Sequence, residues 1–417
     1  MPTVLQSRLN FLHPSIYSKM TARNISIAII FGIFISFILY NLGFRTSKQS
    51  PLGILDLPVH KIEGQARKLA SHSWEYGTLA EALLELHNPE LSVFGTDPFP
   101  AGKVPYAPFH QVKSLEYAKL HISLSDNTLC ADDSSAADPA SLGIPAILLG
   151  QSDVDYLKAS KRQIDHLLKS APQLENGAIS HRENAKEAWS EFVAMVPPFL
   201  AYYAIVSNDL TYMHAAIEQI SLYRDILFNE ERGLWQHIAG PKHEDRGFWS
   251  TGNGWVVWGM ARVLAAMKAW EPTSGESFTE ERRVLVDSVK RVVDEVMVVD
   301  DDRNGLLRNY LGDKQWFGEV SGTTLVAATI YRMASLEPKI FGRKYVDWAG
   351  KKAAAVVGHV DERTGIAKPV VNPLEHARKE PLETGSAEGQ SFLLLLYAAH
   401  RDFLEWEEQV MNNKYQT

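Results

Sequence analysis

Hydrophobic residues recur at helical spacing in one segment after another from residue 61 towards the C-terminus. In residues 61–86, 211–228 and 283–299 they stand three or four positions apart, the spacing that lines one face of an α-helix. Further helices are predicted at residues 151–169, 186–206, 253–270, 322–336, 344–357 and 386–408. No comparably persuasive set of alternating strands occurs, so the sequence predicts an all-α fold.

Polar turns that contain glycine separate these predicted helices. Residues 229–235 (NEERGLW) and 300–309 (DDDRNGLLRN) are two such turns, and each runs into a short apolar segment. This alternation of helix pairs and loops indicates helical hairpins stacked around one core, not separate domains.

Residues 25–44, ISIAIIFGIFISFILYNLGF, form an uncharged run long enough to cross a bilayer as a helix. The alternative is a cleaved signal peptide, but this run is long and rich in Ile and Phe, which favours an uncleaved signal anchor. Residues 1–24 are then a tail, residues 45–60 a linker and residues 61–417 the folded domain.

Basic residues on both sides of the run suggest its orientation. Three precede it and two follow it closely: Arg8, Lys19, Arg23, Arg45 and Lys48. The positive-inside rule therefore favours a cytoplasmic N-terminus. The protein is predicted to be a single-pass membrane protein whose domain is lumenal or extracellular.

Composition excludes several classes of function. The net charge of −8, with no Lys/Arg run longer than a pair, argues against nucleic-acid binding. The single Cys130 cannot form an internal disulfide. The stretch DDDRNG at 300–305 resembles half of a calcium loop, but Leu311 stands where the bidentate Glu is needed, so we predict a turn and no metal.

Several stretches together resemble the fungal branch of the unsaturated rhamnogalacturonyl and glucuronyl hydrolases, glycoside hydrolase family 105. They are SWEYGTLAEALLELHNPELSVFG (73–95), NGAISHR (176–182), WSEFVAMVPPFLAYY (189–203), GLWQHI (233–238), FWSTGNGW (248–255), EVSGTTLVAATIYRM (319–333) and GSAEGQSFLLLLYAAHRD (385–402). The resemblance implies an (α/α)6 toroid of six helical hairpins with a central pocket at one end.

The resemblance also implies a chemistry and a partner. An acid protonates the C4–C5 double bond of an unsaturated uronic acid, water adds at C5, and the resulting hemiketal collapses to free the next sugar. The partner is a uronate-containing oligosaccharide, and the mechanism needs no metal or organic cofactor.

Glu191 is the catalytic candidate. It occupies the proton-donor position of the family frame W-x-D-x-x-x-M-x-x-P-F-L, where the family has aspartate. We expect burial among Phe192, Met195 and nearby aromatic residues to raise its pKa, so that the carboxyl stays protonated near neutral pH.

Trp249 and Trp255 are the sugar-binding candidates that stand beside glycines at the start of a predicted helix. Aromatic planes suit the C–H faces of sugars, whereas Trp258, one turn further on, is expected in the core. The resemblance adds six substrate-binding positions: Asn176, His181, Trp189, His237, Thr251 and Asn253. Asn176 stands where the family often has aspartate, and Thr251 where many bacterial members have arginine.

Two alternatives stay open. The departures at Glu191, Asn176 and Thr251 would allow a toroid that binds glycan without catalysis. A toroid sugar epimerase would need a histidine acid and base in the pocket, a part that His181 and His237 could take.

Overall fold

Helix follows helix through the computed structural model, which describes residue 53 and residues 55–131 and 134–414 of the chain. The predicted membrane span at residues 25–44 lies outside these residues. Within them, none of the helices is both long and apolar enough to cross a membrane.

The described residues contain twelve α-helices. They are α1 (Val59–Leu69), α2 (Ser73–His87), α3 (Lys113–Ala118), α4 (Gly143–Leu149), α5 (Val154–Asp165), α6 (Phe192–Ser207), α7 (Leu210–Leu227), α8 (Ser250–Ser274), α9 (Thr279–Val298), α10 (Val320–Leu336), α11 (Arg343–Val357) and α12 (Ala387–Lys414). Short 3₁₀ helices lie at Pro89–Leu91, Pro100–Gly102, Phe109–Gln111, Asp138–Leu142 and Pro373–Glu375, and a π-helical turn at His166–Ser170 extends α5.

Six of these helices form a closed inner ring: α2, α4, α6, α8, α10 and α12. Neighbours in this order contact each other, and α12 returns to contact α2. Each has an outer partner: α3 packs on α2, α5 on α4, α7 on α6, α9 on α8, α11 on α10, and α1 on α12. The first and last helices of the described residues therefore belong to the same pair, and the predicted fold of helical hairpins around one core is confirmed.

The sequence explains which helices lie inside. Helix α6 is apolar on all sides, and every residue from Phe192 to Ile205 is buried. Helix α9 buries a single stripe that includes Leu285, Val289 and Val296, while its charged residues face solvent. An all-round apolar helix needs neighbours on every side, whereas an amphipathic helix needs only one.

Short strands join the loops at the ends of the helices. They pair in antiparallel fashion as β1 (Ala188–Trp189) with β4 (Ile238–Ala239), β2 (Phe228–Asn229) with β3 (Leu234–Trp235), and β5 (Leu307–Arg308) with β6 (Gly318–Glu319). The β1–β4 pairing delays the start of the helix predicted from residue 186, so that Glu191 becomes the N-cap of α6. It also brings residue 237 next to residues 189–191.

Candidate active site

A cavity of about 300 Å³ lies at the end of the ring where the inner helices begin. Five of the six inner helices line it with a residue from the first turn or the segment just before it: Trp74, Asp138, Glu191, Trp249 and Glu388. Because a helix N-terminus carries partial positive charge, this end of the ring suits acidic groups of protein or ligand.

Tryptophans form much of the cavity wall. Trp249 is the N-cap of α8, and its Nε1 donates to Asn309 Oδ1 at 2.9 Å. Trp255 lies one turn into the same helix and also lines the cavity. Each is at most 2% exposed, so each is at once a wall of the cavity and part of the packed interior. Trp258 is buried away from the cavity, as expected, and its Nε1 donates to Glu81.

His237 is buried between two carboxylates. Its Nε2 lies 3.1 Å from Glu191 Oε1, and its Nδ1 lies 2.9 Å from Asp245 Oδ2. Burial alone would lower the pKa of His237, but the charge of Glu191 and hydrogen bonds to both carboxylates outweigh burial and raise the pKa to about 9. His237 is therefore an imidazolium at neutral pH, with both of its N–H groups donating.

Glu191 is correspondingly ionised. Its Oε2 accepts a hydrogen bond from Ser190 Oγ at 2.8 Å, in addition to the contact with His237. Burial would raise the pKa of Glu191, but the charge and hydrogen bond of His237, with the charge of His181, lower it to about 2. The expectation of a raised pKa at Glu191 is therefore wrong, because an apolar sequence neighbourhood did not reveal the cation that reaches it from another loop.

Glu388, in the first turn of α12, is a second carboxyl group in the cavity, and its pKa is shifted in the opposite direction. It is 2% exposed, and its Oε1 accepts from Trp255 Nε1 at 2.9 Å. Burial and the negative charge of Glu191 raise the pKa of Glu388 well above its usual range, and the single Trp255 hydrogen bond does not compensate. These surroundings favour the protonated form of the carboxyl group.

His181, Asp138 and Trp189 form a further group. The His181 and Trp189 rings stack with centroids 4.9 Å apart and an interplanar angle of 4°. His181 Nε2 lies 3.2 Å from Asp138 Oδ1, while Trp189 Nε1 donates to Glu187 at 3.0 Å. These contacts fix the orientation of the Trp189 ring, which forms part of the cavity wall.

Arg182 brings a permanent positive charge to this wall. Among the described residues that line the cavity, it is the one arginine or lysine. Its guanidinium lies over the Trp189 ring, 5.7 Å from the centroid. His243 lines the cavity as well, and its Nδ1 pairs with Glu187 Oε2 at 2.7 Å.

Four predicted substrate-binding residues are not part of the cavity lining: His237, which contacts the lining residue Glu191, and three that serve the fold, Asn176, Thr251 and Asn253. Asn176 is exposed in a turn, where its Oδ1 accepts from Ala178 N and its Nδ2 donates to a carbonyl of the outer helix α7. Thr251 is fully buried, and its Oγ1 donates to Glu319 at 3.1 Å. Asn253 is fully buried and bonds to the backbone of Trp235 and Trp249. Each of these last three side chains therefore supports a turn or a helix start.

One cluster has the composition of a metal site. Ligand atoms of His237, Asp245 and His376 lie within 4.8 Å of one another. Burial and the charge of His237 lower the pKa of His376 to about 4, so its ring is neutral. His237, however, already donates from both nitrogens to carboxylates, and a metal there would have to displace a proton from it.

The family model described as Glycosyl Hydrolase Family 88 matches residues 111–401, which is more than half of the chain. This chain belongs to that family. It is a glycoside hydrolase, as the sequence motifs predicted; the motifs resembled family 105, and the family that matches is family 88. No curated protein matches it in sequence at a significant level.

Solved structures share the fold of this family 88 chain at low sequence identity. A possible family 105 member from Klebsiella pneumoniae has a TM-score of 0.65 and 16% identity, over 86% of this chain and 96% of its own. A family 105 glycoside hydrolase from C. acetobutylicum has a TM-score of 0.63 and 15% identity, over 82% and 99%. An α-1,6-mannanase from Salegentibacter has a TM-score of 0.55 and 12% identity, over 83% and 98%. The ring therefore accommodates more than one chemistry.

Several residues at the cavity or beside it were not predicted from the sequence. Glu388 falls in a motif quoted above, and a lone acid just before a run of leucines was the available signal. Asp138 precedes Pro139 at a helix start, which is also a visible pattern. Asp245 and His376 lie in irregular loops and had no local signal.

Proposed function

We propose that this family 88 hydrolase removes an unsaturated uronyl residue from the end of an oligosaccharide or related acidic glycan by hydration of the C4–C5 double bond. The observation that carries the proposal is the carboxyl group of Glu191, which lines a cavity walled by tryptophans and pairs with the buried His237. The indole faces suit the C–H faces of a sugar ring, and the carboxylate suits the activation of water.

Glu191 acts in the water step of this proposal. Once C4 has taken a proton, positive charge is shared between C5 and the ring oxygen. Water attacks C5, and Glu191 accepts the proton that the water loses. The C5 hemiketal then opens and the next sugar is released. The proton for C4 must come from another group, because Glu191 is ionised.

Arg182 binds the carboxylate of the unsaturated uronate. The cavity already contains an ionised Glu191, so a second carboxylate that enters it needs a compensating cation. Thr251 stands where many bacterial members of family 105 have an arginine, and its hydroxyl donates a hydrogen bond to Glu319. Arg182 supplies a positive charge from a neighbouring loop, where Trp189 supports its guanidinium.

The experiment offers the purified domain an unsaturated uronyl disaccharide and follows two signals together. Hydration removes the ultraviolet absorbance of the conjugated alkene, and ring opening releases an aldehyde. The saturated disaccharide of the same linkage is the matched control, and it should give neither signal. A protein that binds the unsaturated disaccharide but gives neither signal would be the glycan-binding toroid instead.

The epimerase alternative has less support. As predicted from the sequence, it requires His181 and His237 as acid and base, whereas both ring nitrogens of His237 are engaged by Glu191 and Asp245 and its ring is 2% exposed. Reducing-end analysis of sugars that the protein leaves uncleaved would detect an epimer if one formed.

The location of the enzyme is also part of the proposal. We propose that residues 25–44 anchor it in a membrane, with the hydrolase domain lumenal or extracellular. The support is the uncharged run and the basic residues that precede it.

A further inference from the structure

We infer that Glu388 is the acid that delivers the proton to C4 of the substrate, and that Glu191 and Glu388 divide the acid and base steps between them. This inference rests on the proposed hydration of an unsaturated uronide. It adds a second catalytic residue, on the last inner helix of the ring, to the one that the motif in residues 189–199 indicates.

Position is the first argument. Glu388 lies in the first turn of α12 and lines the same cavity as Glu191 and Trp249. Trp255 Nε1 holds its Oε1 at 2.9 Å, which fixes the carboxyl group against the cavity wall. An acid that protonates a carbon atom must be held in place at the cavity in this way, because proton transfer depends on a fixed approach.

Its surroundings are the second argument. Acidic residues from three other inner helices act on Glu388: Glu191 before α6, Glu75 in α2 and Glu319 before α10. Other titratable and charged groups that line the cavity are held by other contacts: Asp138 pairs with His181, His243 pairs with Glu187, and Arg182 lies over the Trp189 ring. With burial, the acidic neighbours raise the pKa of Glu388, which favours the protonated carboxyl group that an acid needs.

The competing proton sources are less suitable. Glu191 has no proton to give while it is paired with His237. His237 has a proton on each nitrogen, but Glu191 and Asp245 accept both, and the ring is 2% exposed. Two carboxyl groups whose surroundings separate their pKa values are the usual arrangement for an acid and a base in one site.

The step balances without any further reactant. The O–H of Glu388 breaks, its proton forms the new C–H bond at C4, and the alkene electrons form that bond. Water forms the C–O bond at C5 and loses a proton to Glu191. Glu388 is then ionised and Glu191 is protonated, and exchange of one proton with solvent restores both.

The first test is Glu388→Gln, which keeps an oxygen for the Trp255 hydrogen bond and removes the acid. We expect kcat on an unsaturated uronyl disaccharide to fall about 10²- to 10⁴-fold. We expect the Kd for the saturated disaccharide to change less than about threefold. Glu388→Asp, which restores an acid with a shorter reach, should recover part of the lost kcat.

The second test is Trp255→Phe, read as a pH profile. The Trp255 hydrogen bond lowers the pKa of Glu388, so its loss should raise that pKa and move the alkaline limb of kcat to higher pH. If the titration of His237 set the alkaline limb instead, the limb would not move in this variant. Trp255→Phe also tests the role of Glu388 if Glu388→Gln does not fold.

The outcomes separate the two proposals. If the wild type hydrates the disaccharide while Glu388→Gln keeps its kcat and pH profile, the role of Glu388 is overturned and the proposed function stands. An unmoved alkaline limb in Trp255→Phe overturns it as well. If the wild type hydrates no unsaturated uronide, the proposed function falls and the role of Glu388 falls with it.

Discussion

Nε2 of His237 lies 3.1 Å from Oε1 of Glu191, and the two residues are 46 positions apart in the chain. The imidazolium keeps Glu191 ionised, with a pKa of about 2, so activity should persist into acidic solution. His237→Gln removes this positive charge. Burial then dominates, the pKa of Glu191 rises, and the acid limb of kcat/KM moves to higher pH.

The matched control for His237→Gln is His243→Gln. His243 also lies by the cavity, but it pairs with Glu187 instead of Glu191. It should leave the acid limb where it is. An acid limb that stays unchanged in His237→Gln would show that Glu191 does not control it.

Glu191→Gln should lower kcat about 10²- to 10⁴-fold with little change in KM, because it removes the base and keeps the shape. Glu191→Asp tests the family's usual residue at this position. Initial rates on the unsaturated disaccharide give both constants. A Gln variant that turns over like the wild type would rule out a catalytic role for Glu191. An inactive wild type with an active Asp variant would instead indicate a decayed hydrolase.

Trp249→Phe and Trp255→Phe should each raise KM about three- to tenfold, because a smaller ring contacts less of the sugar. The control is Trp258→Phe, which changes a buried indole outside the cavity. All three should lower Tm, and only the first two should alter KM. Truncation to Ala is a harsher test, since loss of a core tryptophan costs about 3 to 5 kcal/mol. A loss of stability at Trp249 and Trp255 without any binding defect would assign them to the core alone.

Arg182→Met should raise KM for a uronide about 10- to 100-fold, the effect of a lost charge-assisted hydrogen bond. Affinity for a neutral oligosaccharide should hardly change. Arg246→Met is the control, because Arg246 is exposed and pairs with Glu244. Equal losses for charged and neutral sugars would mean that Arg182 supports Trp189 and does not bind the carboxylate.

Residues 25–44 should remain in the mature protein as one membrane span. In intact microsomes, protease should leave the hydrolase domain undigested, and the mass of the protein before protease treatment should include residues 1–44. Detergent should remove the protection. A mature N-terminus that begins after Phe44 would identify a cleaved signal peptide instead.

The amino-acid sequence alone determined the helices, their pairing into hairpins and the family. Helix formation depends on neighbours three and four positions away, so local spacing reveals it. The resemblance to family motifs identified Glu191, His181, Trp189, Trp249 and Trp255, all of which line the cavity. Errors in the predicted helix boundaries arose where a distant strand intervened, as at Ala188–Trp189.

Only the tertiary structure decided what those residues face and which of them carry protons. Thr251 and Asn253 belong to the motif at residues 248–255, yet their side chains form buried hydrogen bonds away from the cavity. The charge on Glu191 depends on a histidine from another loop, and Trp255 and Glu388 meet across 133 residues of chain. Closure of the ring creates these contacts, and because electrostatic effects depend on distance in space, no local pattern in the chain could reveal them.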